Sequence, residues 1–135
     1  MDRITIDTNV YISALNYPKS GPYQLLQMAQ DGEIQVAISD AVMHEVLRIM
    51  RDKFHASPQD LKDAEELIAG CTERVSPTEV LEVVKDDPDD NRIVECAVAS
   101  ASDCIVTGDK DLLRMGQYSG IKMMTVSDFL RRVER

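Results

Sequence analysis

Four short apolar runs punctuate the chain: Arg3-Ile-Thr-Ile6, Ile34-Gln-Val-Ala-Ile38, Cys104-Ile-Val-Thr107 and Lys122-Met-Met-Thr-Val126. Most are rich in β-branched residues and read as strands. The segments between them carry helical apolar periods and are too long for hairpins, so successive strands must run parallel with helices over the sheet. The expected fold is therefore α/β, a single three-layer α/β/α domain over residues 1–135 with a parallel sheet of four or five strands.

Helices are expected to begin near Thr8, Pro22, Asp40, Pro58, Asp89 and Ser127. The best-marked is Ser57-Pro-Gln-Asp60, which combines an N-cap serine, a first-turn proline and an acidic third position, with Gly70 as its expected stop. Val75 to Asp90 has no regular pattern and reads as a connection inside one domain. A length of 135 residues suits one core.

Charge narrows the function classes. Lys and Arg total 15 against 24 Asp and Glu, a net charge of -9, so the overall field does not attract nucleic acid and any polyanion must be held locally. The three cysteines, Cys71, Cys96 and Cys104, have no C-x-x-C spacing, which disfavours a zinc site or disulfide framework and points to a reducing cytoplasm. Neither a secretory leader nor a membrane-spanning apolar run is evident.

Open parallel sheets bind ligands beyond the carboxyl ends of their strands, and two of those ends carry aspartates. Asp7 follows the first strand in Ile4-Thr-Ile-Asp-Thr-Asn-Val10, and Asp109 and Asp111 follow a later one in Ile105-Val-Thr-Gly-Asp-Lys-Asp-Leu112. Each aspartate alone reads best as a helix N-cap or turn residue, and Asn9 is a second candidate cap. Their matching positions are what capping leaves unexplained.

A third source is Asp86 to Ser100, with four carboxylates in five positions. Two carboxylates about 4 Å apart repel by on the order of 4 kcal/mol at an effective dielectric of 20, so a cluster needs solvent or a cation. At about 100° per residue from Asp89, the apolar residues from Ile93 to Ala101 average roughly 112° and Asp90 falls at about 100°. Asp90 therefore points inward. Glu95 points away at about 240°, and Asp86, Asp87 and Asp89 read as solvated residues favoured by the helix dipole. Glu45 lies on the border of the apolar stripe of its helix, equally well explained by pairing with Arg48 or solvent.

His44-Glu45 is not a zincin motif, because position 48 is arginine. The segment from Asp87 lacks the glycine and terminal glutamate of a calcium loop, and no glycine-rich phosphate loop is present. What remains is an all-oxygen set of Asp7, Glu45, Asp90 and Asp109, with Asp111 as a further candidate. Hard oxygen ligands without Cys or His suit Mg²⁺ or Mn²⁺.

In this order the motifs resemble those of PIN-domain nucleases, the family that includes ribonuclease toxins of bacterial and archaeal toxin-antitoxin pairs. The resemblance covers essentially the whole chain: Ile-Asp-Thr-Asn-Val, Glu45 after the second strand, Asp90 before Ile93-Val-Glu-Cys-Ala-Val-Ala99, and Thr107-Gly-Asp109. It implies a PIN-like fold and an acidic metal site of Asp7, Glu45, Asp90 and Asp109, supported by Asn9 and Thr107. Asp89 or Asn91 competes for the third position and Asp111 for the fourth. The implied chemistry is metal-assisted hydrolysis of RNA, with an antitoxin as partner. Arg92 and Lys110, with Lys53 and Arg114, lie near the acids in sequence and are candidates to hold a phosphate backbone, against a solvated charged face.

Two rivals follow from the same residues. A haloacid dehalogenase-type phosphatase also places an aspartate after its first strand, but its second aspartate is Asn9 here and Gly108-Asp-Lys-Asp111 is one residue short. A non-catalytic binding protein would use its acids only as caps. Phe129, Leu130 and Val133 would serve a homodimer or an antitoxin helix equally well, with core packing as their default.

Overall fold

The computed structural model describes residues 2–133. The chain order is β1 (Arg3–Ile6), α1 (Thr8–Asn16), α2 (Gly21–Gln30), β2 (Gln35–Ser39), α3 (Asp40–Phe54), α4 (Pro58–Cys71) and β3 (Glu73–Val75). It continues with α5 (Pro88–Ser100), β4 (Cys104–Val106), α6 (Lys110–Met115), β5 (Gln117–Tyr118), β6 (Ile121–Met124) and α7 (Val126–Val133). The sheet order is β3-β2-β1-β4-β6-β5. Five strands are parallel, and β5 adds an antiparallel pairing with β6 at one edge.

Central strands are apolar on both faces because both are covered. Ile4 and Ile6 are buried, and so is Thr5 between them. Thr5 lies on the α5 side: its hydroxyl is 2.9 Å from Ser102 Oγ and 3.9 Å from Cys96 Sγ. Helix α5 packs across β1, β2 and β4, while α1, α2, α3, α4 and α7 pack on one another in a second layer. Three layers with a parallel sheet are what the alternation of runs implied.

Several boundaries moved for local reasons. Helix α4 has the expected capping box at Ser57 and Asp60, but Gly70 does not stop it. The helix runs on to Cys71, and the Thr72 hydroxyl donates to Ile68 O at 2.7 Å, satisfying a terminal carbonyl without a left-handed glycine. The last strand ends at Met124 rather than Val126, because Thr125 caps α7 by accepting from Asp128 N at 3.1 Å. The elements β3, α6 and β5, two to six residues each, were too short for a periodic signal.

Segment 76–87 carries no regular element and is tied down by α5. Asn91 accepts from Val83 N and Val84 N at 2.9 and 2.8 Å and donates to Val84 O at 3.0 Å. Glu95 accepts from Leu81 N at 2.8 Å, so it is buried rather than solvated as its helical angle implied: the connection covers that face of α5.

Phe129 is fully buried, and Leu130 is partly buried against the core. A Cβ on Gly21 would lie 3.1 Å from Val126 and 3.5 Å from Leu130, so α2 and α7 approach closely and the default of core packing holds for Phe129 and Leu130. No helix among the described residues is long and apolar enough to cross a membrane.

Candidate active site

The carboxyl ends of β1 and β4 are adjacent. Ile6 is in register with Val106, and Asp7 N donates to Val106 O at 2.9 Å. From β1 the chain steps to β2 on one side while β4 lies on the other, a switch point where such sheets open a crevice. Asp7 and Asp109 emerge there side by side.

Asp7 occupies the N-cap position of α1 but makes no side-chain cap bond. Its Oδ2 instead accepts a 2.7 Å hydrogen bond from Thr107 Oγ1. That hydroxyl accepts from Asp109 N at 2.9 Å. Burial pushes the Asp7 carboxyl up, opposed by the Thr107 hydrogen bond and reinforced by the charges of Asp109 and Asp87. Asp109 caps α6 through one oxygen, Oδ2, which accepts from Asp111 N and Leu112 N at 3.0 Å each. Capping and convergence on Asp7 thus coexist in one residue.

Asp90 arrives from the opposite layer on the first turn of α5 and is 5% exposed, as its helical angle required. Burial first, then a hydrogen bond shared with the Asp109 carboxylate and the charges of Asp109, Asp7 and Asp87, push its carboxyl up to about 8. Its Oδ2 is buried without a hydrogen-bond partner. An orphaned carboxylate oxygen among other acids is costly unless a cation joins them.

One member was absent from the sequence-derived set. Asp87, Asp90 and Asp109 each offer a carboxylate oxygen, all within 4.8 Å of one another. Taken from sequence as a solvated residue, Asp87 is the N-cap of α5, accepting from Asp89 N at 3.2 Å. The signal was Pro88: proline favours the first helical position, so the residue before it is the cap and is held at the crevice.

The crevice is a depression of about 230 Å³ lined by Asp7, Thr8, Asn9, Glu45, Arg48, Ile49, Lys53, Asp87, Asp89 and Asp90. At about 30 Å³ per water, it has room for an ion, several waters and part of a phosphate. Glu45 lies in its wall, bound bidentately to Arg48 at 2.8 and 3.2 Å. The pairing with Arg48 read from sequence is therefore present, in a residue that also lines the crevice. Asn9 is exposed within the first turn of α1 and does not cap it. Thr107 is fully buried between Asp7 and Asp109.

Other sequence candidates lie elsewhere. Asn91 is turned to the 76–87 connection and does not compete with Asp90. Asp111 pairs with Arg114 at 3.2 Å. Arg92 pairs with Glu95 at 3.1 Å and lines a different depression, with Glu82, Lys85 and Asn91, because the connection claims its side chain. Lys110 is exposed at the start of α6 and is not in the crevice lining. The cations that do line the crevice are Arg48 and Lys53.

The residues fit a hard divalent ion: oxygen donors only, several carboxylates in reach of one point, and one oxygen with no protein partner. Asp87, Asp90 and Asp109 are the residues able to hold it, with Asp7 beside them.

Comparison with known proteins places the fold. A protein of Methanocaldococcus jannaschii described as uncharacterized is 26% identical over 145 residues, covering 98% of this chain and 92% of that protein. A chain from the crystal structure of VapBC2 from Rickettsia felis bound to a DNA fragment from their promoter matches with a TM-score of 0.65. The match covers 91% of this chain and 98% of that chain at 15% identity, a likeness of fold. The family model described as PIN domain matches residues 3–111, the span that holds every acid of the crevice, and the chain belongs to the PIN domain family.

Proposed function

We propose that the protein is a Mg²⁺- or Mn²⁺-dependent endoribonuclease, the toxin of a toxin-antitoxin pair acting in the cytoplasm. The observation that carries the reading is Asp90, which has one buried oxygen, Oδ2, without a partner and a carboxylate clustered with those of Asp87 and Asp109. Buried acids kept only as caps would have their oxygens satisfied by backbone N–H groups. Asp90 has no such bond.

Asp87, Asp90 and Asp109 would hold the ion, with Asp7 beside them and Glu45 at its margin. When bound, a divalent ion stabilises charge on phosphoryl oxygens and lowers the pKa of water. The chain itself supplies orientation. Thr107 fixes the Asp7 carboxylate, and the N-terminus of α6 fixes Asp109, so both are aimed before substrate arrives. The proton that burial favours on Asp90 must leave for that carboxylate to be charged. The antitoxin partner is supported by the fold likeness to a chain of VapBC2; RNA as substrate is supported by the family's motif order in this chain.

The test is hydrolysis of a labelled single-stranded RNA with Mn²⁺ present, beside a phosphomonoester such as p-nitrophenyl phosphate. RNA cleavage abolished by a chelator and by Asp90→Asn, without phosphomonoester turnover, is the expected result. Phosphomonoester turnover without RNA cleavage would favour the phosphatase. Absence of both, with no Mn²⁺ binding, would leave a non-catalytic fold.

A further inference from the structure

A chain with a net charge of -9 that gathers five acids around one depression repels a polyanion unless cations stand in the same wall. Arg48 and Lys53 do, one turn and two turns beyond Glu45 on α3. Arg48 pairs with Glu45 and approaches Asp52 at 3.9 Å. Both Arg48 and Asp89, on the first turn of α5, line the depression, so the guanidinium stands in the same wall as the acids. Lys53 is exposed and makes no ion pair among the described residues.

We propose that Arg48 and Lys53 form the phosphate track of the site, with Arg48 held on Glu45 until that carboxylate turns to a divalent cation; this inference rests on the nuclease reading above. An exposed pair across one helical turn is weakly held. A divalent ion carries twice the charge of a guanidinium and competes for the same carboxylate. Release leaves a planar fork of donors, whose geometry suits a phosphate. At 1.5 Å per residue the two cations are about 7.5 Å apart along the helix axis, which suits contacts with two different phosphates. The order is then fixed by charge: ion first, strand second.

The experiment measures binding of a fluorescent single-stranded RNA oligonucleotide across a salt series, with Ca²⁺ replacing Mn²⁺ and the RNA checked for integrity, beside Mn²⁺ calorimetry. Arg48→Ala and Lys53→Ala are each expected to weaken RNA binding about tenfold and to reduce the slope of log affinity against log salt by about 0.7. Mn²⁺ affinity of Arg48→Ala is expected to stay the same or tighten, because Glu45 is released. Arg48→Lys should restore the salt slope but only part of the affinity, since it keeps charge and loses the fork. Arg131→Ala, whose residue pairs with Asp128 on α7, should change nothing.

RNA binding by Arg48→Ala and Lys53→Ala equal to wild type, with Mn²⁺ binding intact, overturns the track and leaves the nuclease reading standing. Loss of Mn²⁺ binding in Arg48→Ala also overturns it, by making Arg48 a support for Glu45. A wild-type protein that binds neither Mn²⁺ nor RNA overturns both readings.

Discussion

A single hydroxyl, that of Thr107, donates to Asp7 Oδ2 at 2.7 Å and is itself the acceptor for Asp109 N at 2.9 Å. It ties the carboxyl ends of two adjacent parallel strands and sets the direction of the Asp7 carboxylate. Thr107→Val keeps the shape and removes the hydroxyl. Mn²⁺ affinity is expected to fall about 10- to 100-fold, with a stability loss of about 1–3 kcal/mol for the buried groups left unpaired. Thr107→Ser should restore both. Calorimetry with chemical denaturation checks this, and wild-type affinity in the valine variant would refute it.

Asp87→Asn tests the acid that the structure adds. Asparagine also caps a helix, so α5 should remain intact by circular dichroism. Mn²⁺ affinity is expected to drop by about tenfold, or about 1.4 kcal/mol. Asp86→Asn alters an exposed neighbour outside the crevice lining and should leave affinity within about twofold of wild type. Equal behaviour of the two variants would remove Asp87 from the site.

The buried acids make the metal-free protein sensitive to pH in a definite direction. Asp90 is raised from 3.8 to about 8, so the folded chain keeps a proton that the unfolded chain releases. The associated stability is fully present below about 3.8 and is lost as pH rises through about 8. Chelator-treated protein should therefore melt at a lower temperature at pH 8.5 than at pH 6. Asp90→Asn should flatten that difference, and Mn²⁺ should bind more tightly at the higher pH because the Asp90 proton has left. A melting temperature that rises from pH 6 to pH 8.5 without metal would contradict this account.

Much of this arrangement was legible in sequence because it depends on periodicity. Parallel strands follow from the spacing of apolar runs, and the inward direction of Asp90 follows from its angle on α5. What periodicity cannot express is contact made by an irregular segment. Glu95 and Asn91 are buried by the 76–87 connection, and Arg92 is drawn away from the crevice by the same loop. Asp87 was hidden for a different reason: four acids within five positions look alike, and only Pro88 marks which of them is the cap.

That connection yields its own prediction. Asn91 makes three hydrogen bonds to the backbone of Val83 and Val84, and Val84 is buried. Asn91→Ala should cost about 2–3 kcal/mol and open residues 76–87 to limited proteolysis. Denaturant unfolding and mass mapping of the nicks give the answer. A change below about 0.5 kcal/mol, the range of an ordinary surface substitution, would show that the clasp does not hold the loop.

The proposal that Asp7, Asp87, Asp90 and Asp109 gather around a divalent ion is tested most directly by Mn²⁺ titration calorimetry of the wild type and Asp90→Asn. The wild type should bind Mn²⁺, and Asp90→Asn should bind at least about tenfold more weakly while its metal-free form melts no lower than wild type at pH 8.5. No measurable Mn²⁺ binding by the wild type, or equal binding by the two proteins, would contradict a metal site built on these acids.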